Sequence, residues 1–379
     1  MSHSFKHLYS PSLRLKGGEL EGVRQLAGDV ARCILPRFIV PPRKERDTST
    51  PLLIDVADVP DISAALATHW RERPALIDAS YILNEYGRES MSTWLPDMFD
   101  RARSQGARVI PLALLSDIAA LEAPAFEAAI AHDEKIKFAL CVPAGEMVGP
   151  EFVANMNEVL DRLGLTPAEC AVIADFGGSY FEDPEIVAPI IGGALESLQD
   201  FGLWQHVIFQ GTHYPEKNPA GPNSCELWPR NEWLAWRRAV KFDPNTADHM
   251  MFGDYAADCA KMSFGASGGR AHRHLRYTTP THWLVQRGSD SGRDADEMKK
   301  VCAEIIGSSH FSGAGFSAAD ARILSIANRA DGPGNAKTWR QLNTTHHITQ
   351  VVSDLAKVRG LAIAEGPAAA SKEQFSLNV

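Results

Sequence analysis

The sequence lacks the short motifs of several common enzyme and metal-binding classes. It has no P-loop, no GxGxxG before a helix and no HExxH, the patterns typical of nucleoside triphosphatases, dinucleotide-binding domains and zinc proteases. The six cysteines are widely spaced, and the closest two, Cys141 and Cys170, are 29 positions apart. This spacing excludes CxxC zinc motifs and provides no disulfide framework.

Long hydrophobic runs and an excess of positive charge are also missing. No stretch approaches the roughly 18 consecutive apolar residues of a membrane span, and the N-terminal residues contain no apolar signal region. We therefore expect a cytoplasmic protein without a membrane partner. With 38 Lys and Arg against 47 Asp and Glu, the net charge is −9. A chain-wide nucleic-acid interface is not expected, although a local basic patch stays open.

Short apolar runs alternate along the chain with segments of helical periodicity. The 379 residues, 45% of them hydrophobic and 22% charged, are typical of a globular protein. Eight apolar runs recur about every 30 to 50 residues, which is the spacing of β-α units around a parallel sheet. The predicted strands are 34–40, 75–80, 108–115, 137–143, 171–176, 206–212, 250–255 and 275–285.

This alternation predicts an α/β fold, a (β/α)8 parallel barrel of the TIM-barrel type with a C-terminal helical appendage. An open doubly wound sheet is the alternative, but the first strand is not followed by the glycine-rich turn usual there. We predict a barrel over residues 1–290, a helical extension packed on it over 291–360 and a disordered tail over 361–379. The C-terminal helices are predicted at 294–306, 318–329 and 345–359.

Polar residues at the ends of parallel strands are the first candidates for a site, because such side chains converge at the mouth of a barrel. Asp78, Asp175 and Asp254 each end an apolar run, and Tyr255 follows the last of them. Together the three carboxylates can hold Mg²⁺, which prefers oxygen ligands. The alternative is that each aspartate caps the following helix.

An aromatic and basic segment and a histidine pair are further candidates. In WPRNEWLAWRR (228–238), Glu232 and Trp236 fall on one face of a predicted helix that Arg230 precedes, and Arg230 and Glu232 are expected to be exposed. The segment either binds an aromatic or anionic ligand or covers the barrel with its tryptophans. His346 and His347 lie at a predicted helix start, where a structural role is favoured over metal binding.

Several segments in the same order resemble the Beta protein family, which is named after a satellite bacteriophage product and is found in bacterial and prophage genomes. The resemblance covers about residues 8 to 359. It begins at LYSPSLRLKGGEL (8–20), is most specific in the middle of the chain, and closes with FSGAGFSAADARI, GPGNAKTWRQ and THHI. The middle segments are THYPE (212–216), PRNEWLAW (229–236), FGDYAA (252–257) and RYTTPTHWLVQRG (276–288).

The resemblance implies a barrel with a C-terminal extension and a role in a phage-encoded anti-phage defence cassette. There the namesake is thought to restrain a toxic partner protein, in the manner of an antitoxin. The resemblance carries over residues without assigned chemistry: Lys16, Glu216, Arg230, Glu232, Trp236, Asp254, Tyr255, Trp283, Arg287, Trp339, His346 and His347.

Two functions are favoured from the sequence, ahead of direct nucleic-acid binding through the basic segments WPRNEWLAWRR and RAHRHLR. The first is a binding or regulatory barrel protein that restrains or senses another protein of the same defence cassette, which agrees with the lack of a P-loop, a GxGxxG turn or an HExxH motif. The second is a metal-dependent hydrolase or phosphodiesterase with Mg²⁺ as its cofactor and Asp78, Asp175, Glu216 and Asp254 above the barrel. In that case Arg230 or Arg287 would bind the anionic substrate.

Overall fold

A computed structural model describes residues 7–45, 54–56, 59–118, 123–261, 272–361 and 363. The strands are β1 (Tyr9–Arg14), β2 (Arg37–Ile39), β3 (Ile54–Val56), β4 (Val59–Asp61), β5 (Pro74–Asp78), β6 (Arg108–Leu114), β7 (Phe138–Pro143), β8 (Cys170–Asp175), β9 (His206–Gln210), β10 (Ser224–Pro229), β11 (Met250–Asp254), β12 (His274–Thr278) and β13 (His282–Arg287).

The helices lie between the strands and, after β13, follow one another. They are α1 (Gly17–Arg24), α2 (Gly28–Arg32), α3 (Ser63–His69), α4 (Leu83–Tyr86), α5 (Met91–Ser104), α6 (Ala123–Ala128), α7 (Ala144–Met147), α8 (Phe152–Leu163), α9 (Pro184–Gln199), α10 (Asn231–Phe242), α11 (Asn245–His249), α12 (Asp294–Gly307), α13 (Ala318–Ala327) and α14 (Ala336–Val358). Among the described residues, no helix combines the length and apolar character needed to cross a membrane.

Eight parallel strands close into a barrel in the order β1, β11, β9, β8, β7, β6, β5, β2. The predicted fold class, a (β/α)8 parallel barrel with a helical C-terminal segment, is confirmed. Side chains alternate along each strand between the interior and the surrounding helices. The interior is filled by residues such as Leu76, Ile173 and Met251, while their strand neighbours belong to the larger core beneath the helices.

One predicted barrel strand is wrong and one barrel strand was not predicted. The run 275–285 is a hairpin of β12 and β13 that pairs with β10 in a separate antiparallel sheet. The place in the barrel belongs to β1, whose short sequence YSPSLR alternates outward Tyr9 and Leu13 with inward Ser10 and Ser12. Polar inward residues hide a strand from a search for apolar runs.

The three C-terminal helices share a hydrophobic core with the hairpin. Leu275, Tyr277 and Leu284 of the hairpin pack with Met298 of α12 and Ile323 of α13. Helix α14 begins at Ala336, where Asn335 Oδ1 accepts a hydrogen bond from the Thr338 N–H (3.2 Å). The predicted start near 345 is therefore wrong. Of the predicted tail, the structure describes residues 361 and 363.

Helix α14 packs closely on α1 because α1 presents two glycines. A Cβ at Gly22 would lie 2.8 Å from Thr344 Cβ, and one at Gly18 would lie 2.8 Å from Arg340 Cβ. The Thr345 hydroxyl donates to the Gly22 carbonyl (2.9 Å). These contacts fix the C-terminal helix against the first β-α unit of the barrel.

We predict that Gly22→Ala destabilises the protein by about 1–3 kcal/mol, because the added methyl group overpacks this contact. The matched control is Gly193→Ala in α9, where an added Cβ meets no atom within 4 Å and the helix should gain about 0.5–1 kcal/mol. Urea denaturation of both variants measures the difference. Equal unfolding midpoints would contradict the packing argument.

Candidate functional site

The carboxyl ends of the barrel strands carry inward-facing polar side chains. Asp78, Asp175 and Gln210 each lie two positions after an interior apolar residue of the same strand, so they point into the barrel. Arg37 is the first residue of β2 and lies two positions after Leu35, which belongs to the same interior cluster, so its long side chain also extends inside the barrel toward the mouth. The mouth cluster is defined here as Ser12, Arg37, Asp78, Cys141, Asp175, Gln210 and Tyr255.

Arg37 joins the two acidic residues of the mouth cluster. Its Nε and Nη2 donate to Asp78 Oδ2 at 3.0 and 2.6 Å. On the other side, Arg37 Nη1 lies 3.6 Å from Asp175 Oδ2. Both Arg37 and Asp78 are buried. A guanidinium therefore offsets the two carboxylates, which would otherwise be costly to remove from water.

Backbone and hydroxyl groups complete the contacts of the two aspartates. Asp78 Oδ1 accepts hydrogen bonds from the Ser80 N–H (2.9 Å) and the Ser80 hydroxyl (2.6 Å). Asp175 Oδ1 accepts from the Gly177 N–H (2.8 Å) and from the Tyr255 hydroxyl (3.3 Å). Each aspartate thus orients the loop that follows its strand, as well as binding Arg37.

Several buried polar atoms of the mouth cluster have no hydrogen-bond partner among the described residues. They are Ser12 Oγ and both amide atoms of Gln210, while Arg37 Nη1 has its ionic contact with Asp175 at 3.6 Å and no shorter hydrogen bond. The Gln210 side chain lies against Gly253, where a Cβ would stand 2.8 Å from Gln210 Oε1. Buried polar atoms are usually paired, so these atoms are available to hydrogen-bond a polar ligand or water.

The protonation states suit binding better than nucleophilic attack. Burial raises the pKa of the Cys141 thiol well above its ordinary value, and burial also raises the pKa of Tyr255. Burial alone would lower the pKa of Arg37, but the acidic groups around it hold that pKa well above its usual range. The mouth cluster therefore presents a permanent cation beside a protonated thiol, and a protonated thiol is a weak nucleophile.

Asp254 does not join Asp78 and Asp175 in the mouth. It lies on the outward face of β11, like Phe252, and is buried beneath α14. Its carboxylate accepts a hydrogen bond from Tyr9 and lies 2.9 Å from His347 Nε2. The expectation that Asp254 contributes to a three-carboxylate site is wrong, because a one-residue step along a strand reverses the face.

His346 and His347 lie in the middle of α14 and contact two different aspartates. His347 Nδ1 lies 2.8 Å from the Thr278 hydroxyl, which extends the Asp254 contact to β12. His346 lies 3.0 Å from Asp320 Oδ2 and 2.8 Å from the Thr278 carbonyl. These buried links join the barrel, the hairpin and α13, so the structural role favoured for the pair agrees with its geometry.

Arg230, Glu232 and Trp236 lie at the start of α10 and are fully buried. Arg230 Nη1 donates to the Thr279 carbonyl (2.8 Å) and lies 3.4 Å from Asp354 Oδ2. Trp233 and Trp236 stack on each other and pack edge-on against Phe252 of β11. The expectation of an exposed Arg230 and Glu232 is wrong, and the tryptophans cover the barrel.

The remaining candidate residues lie away from the mouth cluster. Glu216 is exposed and pairs with Lys261 (3.2 Å), while Arg287 pairs with Asp290 (2.8 Å). Trp283 packs edge-on against Tyr214. Trp339 donates to the Pro333 carbonyl (2.8 Å) within the core of the C-terminal helices.

The donor set of the mouth does not fit the proposed Mg²⁺ site. Arg37 lies between Asp78 and Asp175, and Asp254 faces the other side of the barrel wall. Within the described ranges, no group of three or more His, Cys, Asp or Glu side chains is placed to hold a metal ion. Glu216 lies at the surface, where it pairs with Lys261.

Sequence reasoning missed Ser12, Arg37, Cys141 and Gln210. A signal existed for Arg37, which is a charged residue inside the apolar run ILPRFIV. Residues 265–269 (GASGG) also spell the GxSxG pattern of serine hydrolases, and they lie outside the described residues.

The part of the chain that matches a known family coincides with the barrel and the C-terminal helices. The sequence profile of the Beta protein family matches residues 9–353. The chain belongs to the Beta protein family. The match begins with β1 and ends within α14, so it includes the whole barrel and the helix that holds His346 and His347. No curated protein matches the chain.

Glu232 provides a test of the buried polar network beneath α14. Burial raises the pKa of Glu232 to about 8, against the opposing effect of Arg230. The folded state therefore keeps a proton that the unfolded state releases above its pKa of about 4.3. Stability is lost as the pH rises toward 8, since unfolding then releases a proton.

We predict that Glu232→Gln removes this loss, because glutamine keeps the acceptor for the His213 N–H (3.0 Å) without ionising. Between pH 6 and pH 9, the wild type should lose about 1–3 kcal/mol more stability than the variant. Urea denaturation at both pH values measures it, with the exposed Glu226→Gln as control. Parallel pH profiles for the wild type and Glu232→Gln would show that Glu232 is ionised in the fold.

Proposed function

We propose that this protein is a binding or regulatory component of an anti-phage defence cassette. In this proposal the mouth cluster binds a small polar ligand, and the bound state restrains or releases another protein of the same cassette. Such cassettes are carried by phages and prophages, and the role resembles that of an antitoxin. The buried atoms of Ser12 and Gln210 that have no hydrogen-bond partner among the described residues, beside the cation of Arg37, are the observation that carries the proposal.

The charge pattern of the mouth supports binding over hydrolysis. Arg37 and Asp78 are fixed to each other, while Asp175 keeps a partly exposed carboxylate. A ligand with both donors and acceptors can pair with Gln210 and Ser12 and reach Asp175. The hydrogen bonds formed with the ligand would offset the desolvation free energy that these buried groups carry when they have no partner.

Gln210→Leu separates this function from folding. Leucine has a similar volume and removes an amide without partners, so we predict equal or higher stability, by up to about 1–3 kcal/mol. We also predict loss of protection in a phage-challenge assay, or of neutralisation when the partner toxin is co-expressed. The exposed Gln199→Leu, at the end of α9, is the matched control and should protect as the wild type does.

A stable Gln210→Leu variant with full biological activity would contradict the proposed role of the mouth. A strongly destabilised variant would show instead that the amide is a structural group with a partner.

The alternative function, a metal-dependent hydrolase or phosphodiesterase, rests on Asp78, Asp175 and Tyr255 at the barrel mouth. It has less support because Arg37 engages both carboxylates. Phosphodiester cleavage by the purified full chain with Mg²⁺, abolished by Asp175→Asn, would favour the hydrolase over the regulatory role.

A further inference from the structure

A cavity opens between the end of β1, the start of α1 and the start of α14. It has a volume of about 310 Å³. We name it the rim cleft. It is lined by Arg14, Lys16, Gly18, Glu19, Glu45, Lys337 and Arg340. None of these residues belongs to the mouth cluster.

The rim cleft carries an excess of positive charge. Four cationic side chains line it against two carboxylates, and Glu45 is already paired with Lys16 (3.1 Å). This local excess contrasts with a chain of net charge −9. Anions are therefore drawn to this place on a protein that otherwise repels them.

Asp258 does not neutralise the arginines of the cleft. Its carboxylate is shared by Arg14 (3.2 Å), Arg276 (2.8 Å) and Arg340 (2.8 Å). Burial alone would raise the pKa of Asp258, but the three arginines hold that pKa far below its ordinary value. One negative charge thus positions three guanidiniums, of which those of Arg14 and Arg340 line the cleft, and it does not cancel their charges.

The start of α1 adds backbone donors to the same cavity. The helix begins at Gly17, and no side chain caps it. A helix N-terminus carries a partial positive charge and free N–H groups that suit an anion. Gly18 allows this terminus to approach α14, because any Cβ there would also lie 2.9 Å from the Lys337 carbonyl.

We propose that the rim cleft binds an anionic group of the phosphate type. Arginines fixed by Asp258 supply directional donors, the two lysines supply point charges and the α1 terminus supplies N–H groups. The cationic groups Arg14, Lys16 and Arg340 are partly shielded from solvent, with 19 to 29% of each side chain exposed. Their attraction for an anion is less screened than at a fully exposed surface.

The test is a calorimetric titration of the full chain with inorganic phosphate and with pyrophosphate at constant ionic strength. Two alanine variants of α14 form a matched pair. Lys337→Ala removes an exposed lysine that lines the cleft, and Lys357→Ala removes an exposed lysine at the other end of the same helix.

We expect saturable binding to the wild type, unchanged binding to Lys357→Ala and about tenfold weaker binding to Lys337→Ala. Lys16→Ala combined with Lys337→Ala should abolish binding, because Glu45 then loses its partner and repels the anion. Thermal melting of each variant verifies the fold. Absence of saturable binding to the wild type, or equal affinities for both alanine variants, would overturn the proposal.

The outcome is independent of the proposed function. Gln210→Leu leaves every residue of the rim cleft in place, so phosphate binding should persist in that variant even when biological activity is lost.

Discussion

The buried guanidinium of Arg37 is the constraint on which the mouth of the barrel depends. Two carboxylates at the ends of β5 and β8 cannot be taken from water without compensation. Arg37 supplies it at 2.6 Å to Asp78 and 3.6 Å to Asp175. Loss of one partner in a buried ion pair costs about 3–5 kcal/mol. The position of Arg37 therefore fixes which chemistry the mouth can perform.

A second set of buried polar contacts attaches the C-terminal helix to the barrel. Asp254 of β11 and His347 of α14 lie 2.9 Å apart, and Gly22 of α1 allows close packing on the other side of α14. Both contacts occur within the region that matches the family, residues 9–353. Helix α14 is thus part of the structure that forms the rim of the barrel and one wall of the rim cleft.

The sequence predicts the fold class because apolar runs and helical periodicity report directly on buried strands and amphipathic helices. Seven predicted strands are barrel strands. Strand β1 was missed because its inward positions are serines, and 275–285 was misassigned because TTPT reads as part of an apolar run. The structure shows a turn there, between β12 and β13.

The sequence predicts a site residue correctly only where a polar residue ends a strand and its side chain faces the barrel interior. Asp78, Asp175 and Tyr255 meet at the mouth, whereas Asp254, one residue before Tyr255, faces the helices. When a strand is apolar on both faces, its sequence does not tell which alternate residues face the barrel interior and which face the helices. Pairing between distant residues, such as Arg37 with Asp175, is likewise set by the closure of the barrel.

A titration of the full chain with Mg²⁺ tests most directly whether Arg37 is the cation of the mouth. The account predicts no saturable Mg²⁺ binding to the wild type at pH 7, because the guanidinium already engages Asp78 and Asp175. Stoichiometric binding of one Mg²⁺ per chain, lost in Asp78→Asn, would contradict it and would make the mouth a metal centre.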